Sequence, residues 1–472
     1  MNNKALIKPL DDHSEMYVTA SRSKIHPPCF GLIRIFKEEI SADELAKHTL
    51  AIAQNPLGLG RRVEKPRLPG ARARWVPSPI PPSIRMETEP HSPAELSRLV
   101  DAVISQRPDP ARDTGWRQVS ARTDDGGTMV ITWMNHAFGD ARSLFELILG
   151  DHADVTGLSD LLDDARELNN EPTSRPLWTS TRDELGDVMT RVRRGLQGSA
   201  RLGRDAMLAP ISSKNRDELA LLGPAVRAMR PRPRSVGTLT SRRTATMARI
   251  DYNLWRTQAR AHGGSSNTLF IAVLANLLRQ ARRARGDAPL DRLRILLPVD
   301  ISMALDAMGV APEDRPNNTV IASIVDLPGE QYYGDLEEVK QSIKTAIDTA
   351  VADMETTANA TRPAGMVDAM NLMPNAITHR IAARVQTGFD GVASNVGEMF
   401  HQNKAGIANH VPHEMYLLAA PMRTDITGTF GFFEGRLTLS FMADPAKLGP
   451  GGALSDRVAA ELERWEVTGD VW

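Results

Sequence analysis

One histidine and one aspartate lie four residues apart at the point where the apolar pattern of the chain changes period. In residues 128–149, TMVITWMNHAFGDARSLFELIL, His136 follows a strand-like apolar run, and Asp140 precedes a helix-like one. A short polar connection between a buried strand and a helix is held at both ends. A neutral imidazole there can act as a general base with fixed geometry, so the pattern suits a catalytic histidine.

The spacing by itself also admits a structural interpretation. Among eleven histidines, on the order of 0.6 H-x-x-x-D matches arise by chance, and this is the only match in the chain. Interior histidines are often hydrogen-bonded structural residues. The local pattern therefore leaves a structural histidine and a catalytic base both open.

Alternating strands and helices must position these residues. TMVITWM is apolar on both faces, which predicts a strand buried on both sides, and TDDGG joins it to GWRQVSAR in a hairpin. Further strands are predicted at 29–36, at 293–299, in NTVIASIVDLP and as a pair over 427–444 that turns at Glu434 and Gly435. Helices are predicted over 41–55, 92–108, 266–286 and 335–354, over ARSLFELIL after Asp140, and near the C-terminus.

The composition divides the chain into two similar α/β parts. Residues 176–240 are rich in arginine and proline and are predicted to form a basic helical linker. It separates an N-terminal lobe, 1–175, which carries His136 and Asp140, from a C-terminal lobe, 241–472. The arginines could face a phosphate or a membrane surface. A solvated helix followed by an exposed connection is the alternative.

Bulk properties exclude several classes of protein. The chain has 472 residues, 41% hydrophobic and 24% charged, as expected of a globular protein with two or three domains. A net charge of −1 gives no general attraction for nucleic acid. The single cysteine, Cys29, excludes an internal disulfide and favours a buried apolar role. Neither a signal peptide nor a membrane-spanning run is present in the sequence, which predicts a cytoplasmic protein.

Other candidate sites are weaker. NHVPHEMY contains His410, His413 and Glu414, which could form a metal cluster, but without a further ligand signature packing roles are favoured. The chain has neither a Walker loop nor a strand–G-x-G-x-x-G–helix unit. We therefore predict no metal and no resident cofactor.

Several motifs taken together resemble the wax ester synthase/diacylglycerol acyltransferase family. NHAFGDA is similar to the H-H-x-x-x-D-G motif of the superfamily that also includes chloramphenicol acetyltransferase and nonribosomal condensation domains. PLDDHSEMYV and HPPCFGLIRIF resemble the family's opening, and DPARDTGW precedes the motif as in the family. The remaining landmarks follow in family order: SSNTLFIAVLANLLRQ, LRILLPVDIS, NNTVIASIVDLP, SNVGEM and EGRLTLSFMAD. The likeness spans nearly the whole chain.

The resemblance implies an α/β fold of two chloramphenicol acetyltransferase-like lobes, with mixed sheets, flanking helices and an active-site tunnel between them. It implies that His136 is the general base of direct acyl transfer from acyl-coenzyme A, a co-substrate, to a small-molecule hydroxyl or amine acceptor. Asp140 would orient the imidazole. Predicted substrate-site residues are Asn135, Gly139, Asn318, Ser394 and Asn395. Asn318, Ser394 and Asn395 could each instead cap a strand end or satisfy a turn.

The chain departs from the family pattern at the motif itself. Asn135 replaces the first histidine, Ala141 replaces the last glycine, and Ser302 stands where the family has an arginine. These departures favour a specialised acceptor over a lost activity. Three alternatives stay open: a carrier-protein thioester as donor, a non-catalytic binding module of the same fold, and peripheral membrane contact through the basic linker.

Overall fold

The computed structural model describes most of both predicted lobes. The described residues are 8–22, 29–54, 59–78, 83–140, 181–193, 242–300, 320–329, 331–358, 388–398, 406–420 and 424–472. The helix predicted directly after Asp140, the predicted site residue Asn318, and the departures at Ala141 and Ser302 lie outside them.

The described elements alternate between strands and helices. The strands are β1 Lys8–Pro9, β2 Cys29–Phe36, β3 Arg61–Glu64, β4 Arg74–Pro77, β5 Ser83–His91, β6 Trp116–Thr123, β7 Thr128–Asn135, β8 Thr244–Asp251, β9 Arg292–Asp300, β10 Val320–Pro328, β11 Gly391–Glu398, β12 Glu414–Ala419, β13 Ile426–Phe433, β14 Arg436–Ala443 and β15 Gly469–Val471. The helices are α1 Asp12–Arg22, α2 Ala42–Gln54, α3 Pro93–Ile104, α4 (residues 181–193), α5 Tyr252–Ala261, α6 Ser266–Arg285, α7 Glu337–Ala358, α8 Pro445–Leu448 and α9 Leu454–Arg464.

The N-terminal sheet has β7 at its centre. Its strand order is β12-β2-β7-β6-β5, and β7 pairs antiparallel with β2 and β6. All eight residues of β7 are buried, which confirms the strand predicted to be covered on both faces. The hairpin from β6 turns through Gly126, whose φ of 90° suits glycine. The end of this central strand carries His136.

The C-terminal sheet holds the larger apolar core. Its order is β10-β9-β11-β13-β14-β8-β15, with β11 parallel to β13. Helix α6 is buried along most of its length and ends at the left-handed Gly286, as its sequence predicts. The β13–β14 hairpin turns through Glu434 and Gly435, both at positive φ, so the predicted turn is also confirmed.

One strand crosses between the lobes. β12 comes from the C-terminal segment, yet it pairs antiparallel with β2 at the edge of the N-terminal sheet. Tyr416 of β12 packs in one apolar cluster with Cys29, Met247 and Met442, and this cluster joins both sheets. Cys29 is buried, which raises the pKa of its thiol above the usual range and confirms its predicted apolar role. The chain thus forms two helix-flanked, sheet-rich lobes of mixed α/β structure that share a strand.

The described part of the basic linker packs on the N-terminal lobe through its acidic side chains. In α4, the Glu184 carboxylate accepts backbone N–H groups of Arg67 and Leu68 at 3.0 and 2.9 Å. Arg191 is buried and pairs with Glu15 of α1. This part of the linker is therefore not a fully solvated helix. No helix in the described ranges is both long and apolar enough to cross a membrane.

Candidate active site

His136 lies at the end of β7 between two aromatic rings. It opens a single 3-10 turn, His136–Phe138, and its side chain is only partly buried. The ring of Tyr17, from α1, lies 4.7 Å from the imidazole centroid at an interplanar angle of 37°. The ring of Phe30, from β2, lies at the same distance on a tilted plane. Phe30 pairs with Met134 across the two strands. Side chains alternate along a strand, so residues two positions apart, such as Met134 and His136, share a face, and Phe30 therefore lies beside His136.

Asn135 fixes the turn that carries the histidine. Its side-chain oxygen accepts the Ala137 backbone N–H at 2.9 Å, a local cap typical of asparagine. Its amide nitrogen donates to the Ser21 hydroxyl at 2.7 Å and to the Pro108 carbonyl at 3.0 Å. The residue is fully buried, and both amide hydrogens go to protein partners. This geometry favours positioning of the turn over the predicted contact with substrate.

Phe138, at the end of the turn, is contacted by the buried Arg61 and by Gly115. Arg61 donates to the Phe138 carbonyl at 3.0 Å and lies over the Trp75 ring at 4.2 Å. Burial lowers the pKa of Arg61 to about 10, and the Asp11 carboxylate opposes that shift. The guanidinium therefore stays charged at neutral pH. Gly115 has a φ of +73°, and a Cβ there would lie 2.7 Å from the Phe138 ring.

Asp140, the aspartate of the H-x-x-x-D motif, lies in the protein interior. Its side chain is buried, and the preceding Gly139 donates its backbone N–H to the His136 carbonyl at 3.3 Å. Burial, together with the negative charges of Asp11 and Asp140, raises the pKa of Tyr17 to about 12. Tyr17 therefore stays protonated near Asp140 throughout the neutral range.

The second group of predicted residues lies on β11. Asn395 donates its side-chain amide to the Asn267 side-chain oxygen at 3.1 Å and accepts the Gly397 backbone N–H at 2.8 Å. Asn395 is exposed, and Ser394 is half-buried beside Thr429 of β13. The next residue, Val396, packs against the apolar cluster described below.

An apolar cluster brings the two predicted groups into one region. It contains Phe30, Ala137 and Phe138 from the N-terminal lobe together with Phe433 from the C-terminal lobe, and both Tyr17 and Val396 pack against it. The His136 turn and the Ser394–Asn395 strand thus meet where the lobes meet. Direct contact of Gly139, Ser394 or Asn395 with substrate stays a prediction, as does the tunnel.

The two histidines of NHVPHEMY each lie beside a carboxylate. His410 lies 3.5 Å from the Glu44 carboxylate, and His413 lies 3.6 Å from that of Glu414. Glu414 also pairs with Arg249 and accepts the Tyr416 hydroxyl. Across the described ranges, no three His, Cys, Asp or Glu side chains are placed to hold a metal ion.

Sequence reasoning did not assign a role to Tyr17, Ser14 or Arg61. The segment PLDDHSEMYV serves only as a landmark, although Ser14 and Tyr17 stand at helical spacing within it and Ser21 follows at the same kind of spacing. No local signal marks Arg61, because its partners, Trp75 and Phe138, are brought to it only by folding.

The arrangement suits proton transfer at a fixed place. A partly exposed imidazole is confined by rings on two sides, at the end of a strand whose own residues are all buried. Such confinement keeps a general base in one orientation while leaving an edge open to a reactant.

Comparison with solved structures identifies the fold. The wax ester synthase/diacylglycerol acyltransferase from Marinobacter aquaeolei VT8 matches with a TM-score of 0.55 at 15% identity, over 97% of this chain and 98% of that one. The first condensation domain of the calcium-dependent antibiotic synthetase, in complex with a substrate analogue, gives 0.54 at 13%, over 97% and 94%. F. graminearum TRI101, complexed with coenzyme A and deoxynivalenol, gives 0.56 at 12%, over 98% and 99%.

These likenesses show a shared fold, since all the identities are low. No protein-family model matches the chain, and no curated protein matches it. The protein has the two-lobed mixed α/β fold of acyltransferases and condensation domains, as predicted.

Proposed function

We propose that this protein is an acyltransferase that moves an acyl group from a coenzyme A thioester to the hydroxyl or amine of a small-molecule acceptor. The observation that best supports this is the partly exposed His136 imidazole, held between Tyr17 and Phe30 where the two lobes meet. The fold adds support, because it is one that acyltransferases use.

The reaction would need one base and no covalent enzyme intermediate. His136 accepts the proton of the acceptor O–H or N–H while the oxygen or nitrogen attacks the thioester carbonyl carbon. The new C–O or C–N bond forms, the C–S bond breaks, and the coenzyme A thiolate leaves with the electron pair. A thiol pKa near roughly 8.5 makes it a good leaving group. The imidazolium then returns its proton to the thiolate or to water.

The remaining predicted residues would support that step. Asp140 would hold the turn and stabilise the transient imidazolium through its negative charge. Ser394, Asn395 and Asn318 are candidates to donate hydrogen bonds to the oxyanion or to line the substrate site. Asn135 would act through the backbone of the turn, because both hydrogens of its amide already serve protein partners.

The test is donor-dependent acyl transfer with a histidine control. Purified protein is incubated with coenzyme A thioesters of graded chain length and a panel of alcohols and amines. Free thiol is measured with a chromogenic reagent, and products are identified by mass spectrometry. His136→Ala should lower the rate by about 10²- to 10⁴-fold while the fold is kept. His262→Ala is the matched control, since His262 also packs on an aromatic ring, that of Trp465, but in the other lobe.

Each outcome assigns one function. Wild-type turnover by His136→Ala would exclude this histidine as the base. Transfer from carrier-bound acyl groups, but from no coenzyme A thioester, would identify the condensation-type alternative. No transfer from either donor, with biological function unchanged in His136→Ala, would indicate a non-catalytic module.

We also propose, independently of the enzymatic function, that the linker contacts a membrane surface. Helix α4 turns its acidic face to the N-terminal lobe and exposes Leu185 and Met189, one turn apart, with Arg182 and Arg193 exposed at its ends. Apolar side chains flanked by arginines suit an anionic bilayer surface. In flotation assays, anionic vesicles should bind the wild type at low salt and should bind Leu185→Ser/Met189→Ser less. Failure of the wild type to float would remove this contact without affecting the enzymatic proposal.

A further inference from the structure

Helix α1 presents three side chains to three successive residues of the His136 turn. Ser14, Tyr17 and Ser21 follow a spacing of three and four, so they share one helix face. The Ser14 hydroxyl lies 2.9 Å from the Ala137 carbonyl oxygen, Tyr17 packs on the His136 ring, and the Ser21 hydroxyl accepts from Asn135. We name this face, Ser14–Tyr17–Ser21, the α1 clamp.

We propose that Tyr17, held by the α1 clamp, is a positioning residue that sets the orientation of the His136 imidazole. This inference rests on the proposed function, because it assigns a part to Tyr17 at the same site. The two serines lie about one helical turn before and after Tyr17, so they fix the position of its ring along the helix axis relative to the imidazole. Phe30, which belongs to the sheet, is the second ring that packs on the imidazole.

The helix itself is anchored at several places. Asp11 accepts the Ser14 backbone N–H at 2.8 Å at the start of the helix. Glu15 pairs with the buried Arg191 of α4, and Val18 is buried in the apolar cluster. A helix fixed by a cap, an ion pair and apolar packing can hold a ring to a narrow range of orientations. The orientation of the imidazole is then imposed from outside its own strand.

The aromatic ring of Tyr17 orients the imidazole more than its hydroxyl does. The imidazole contacts the aromatic face, and a centroid distance of 4.7 Å is within the range of packed aromatic pairs. Removing only the hydroxyl leaves that contact in place, whereas removing the ring opens space beside His136. Tyr17→Phe and Tyr17→Ala therefore separate the two contributions.

The experiment compares Tyr17→Phe, Tyr17→Ala and a control, Tyr252→Ala. Tyr252 also packs on an aromatic ring, that of Phe432, but it lies in the C-terminal lobe. We expect Tyr17→Ala to lower kcat roughly 10- to 100-fold with little change in KM, because a small misplacement of the base acts on the chemical step. We expect Tyr17→Phe and Tyr252→Ala to keep most of the activity. The acid limb of the kcat/KM–pH profile should move in Tyr17→Ala only.

A second readout does not depend on turnover. Diethyl pyrocarbonate acylates neutral imidazole nitrogens, and peptide mass spectrometry gives the modification rate of His136 by itself. That rate should rise several-fold in Tyr17→Ala and stay unchanged in Tyr17→Phe and Tyr252→Ala. Circular dichroism and thermal melting establish that each variant is folded. If Tyr17→Ala does not fold, Tyr17→Leu replaces it.

The outcomes separate the inference from the proposed function. A folded Tyr17→Ala with unchanged kcat and unchanged His136 modification overturns the inference. Equal losses in Tyr17→Phe and Tyr17→Ala also overturn it, since the hydroxyl would then be the active part. If the wild type transfers no acyl group, the proposed function fails, and the modification rates alone decide whether Tyr17 positions His136.

Discussion

Two strand ends meet at the contact between the lobes, and they are held in different ways. The end of β7 is buried, and it is fixed by side chains from α1 and β3 and by the backbone carbonyl of Pro108. The end of β11 is partly exposed, with Asn395 bonded to Asn267 and to the nearby Gly397 backbone. The first end carries the proposed base, and the second carries candidate substrate contacts.

The difference indicates that the two strand ends have different functions. Proton transfer requires a base that is held in place before the reactant arrives. The several contacts from distant segments that fix the His136 turn meet this requirement. A strand end with few partners can be changed at small cost in stability. Changes in acceptor specificity are therefore expected to fall on the β11 side.

Among the variants that test this contrast, Asn135→Ala should have the largest effect on stability. It removes three side-chain hydrogen bonds and leaves the Ala137 N–H and the Pro108 carbonyl without those partners in a buried place. We expect a loss of about 2–4 kcal/mol in the free energy of unfolding. Urea denaturation measures it, with Asn395→Ala as the exposed control at a loss of at most about 1 kcal/mol. Equal losses at the two asparagines would remove the contrast.

A smaller effect is expected in alkaline solution. Tyr17 has a pKa of about 12 in the folded protein against 10.0 ordinarily, because burial and two nearby carboxylates oppose its ionisation. Below pH 10 both folded and unfolded chains keep the proton. Between pH 10 and 12 the unfolded chain loses it first, so the stability contributed by this group falls as the pH rises, by at most about 3 kcal/mol.

Tyr17→Phe should abolish that part of the decline. Urea titrations at pH 9 to 12 should give a shallower loss of stability for Tyr17→Phe than for the wild type, and Tyr252→Phe serves as a control in the other lobe. Parallel curves for Tyr17→Phe and the wild type would show that the Tyr17 hydroxyl is not held in its neutral form by folding.

The smallest effect concerns the link between β11 and α6. Asn395 and Asn267 should show a coupling of about 0.5–1 kcal/mol in a double-mutant cycle of alanine variants, because they share one hydrogen bond. Asn135 and Asn267 bond to different partners, so their effects on stability should be additive. A zero coupling for the first pair would mean that β11 is positioned by its strand pairing alone.

Local patterns were enough for much of the fold. The buried β7, the β6–β7 hairpin and the glycine end of α6 follow from apolar periodicity and turn chemistry. The β13–β14 turn through Glu434 and Gly435 is likewise local. Neither the transfer of β12 to the other sheet nor the packing of α4 through Glu184 could be predicted, because each depends on surfaces that exist only after folding.

The amino-acid sequence by itself placed His136 at the end of a buried strand and gave the turn its asparagine cap, since apolar alternation and hydrogen bonding across two residues are local properties. Tertiary structure alone decided what surrounds the imidazole. Ser14 and Ala137 are 123 positions apart, and Ser21 and Asn135 are 114 apart. Contacts over such separations form only when the packing of apolar faces outweighs the entropy of closing long loops, so no short stretch of sequence records them.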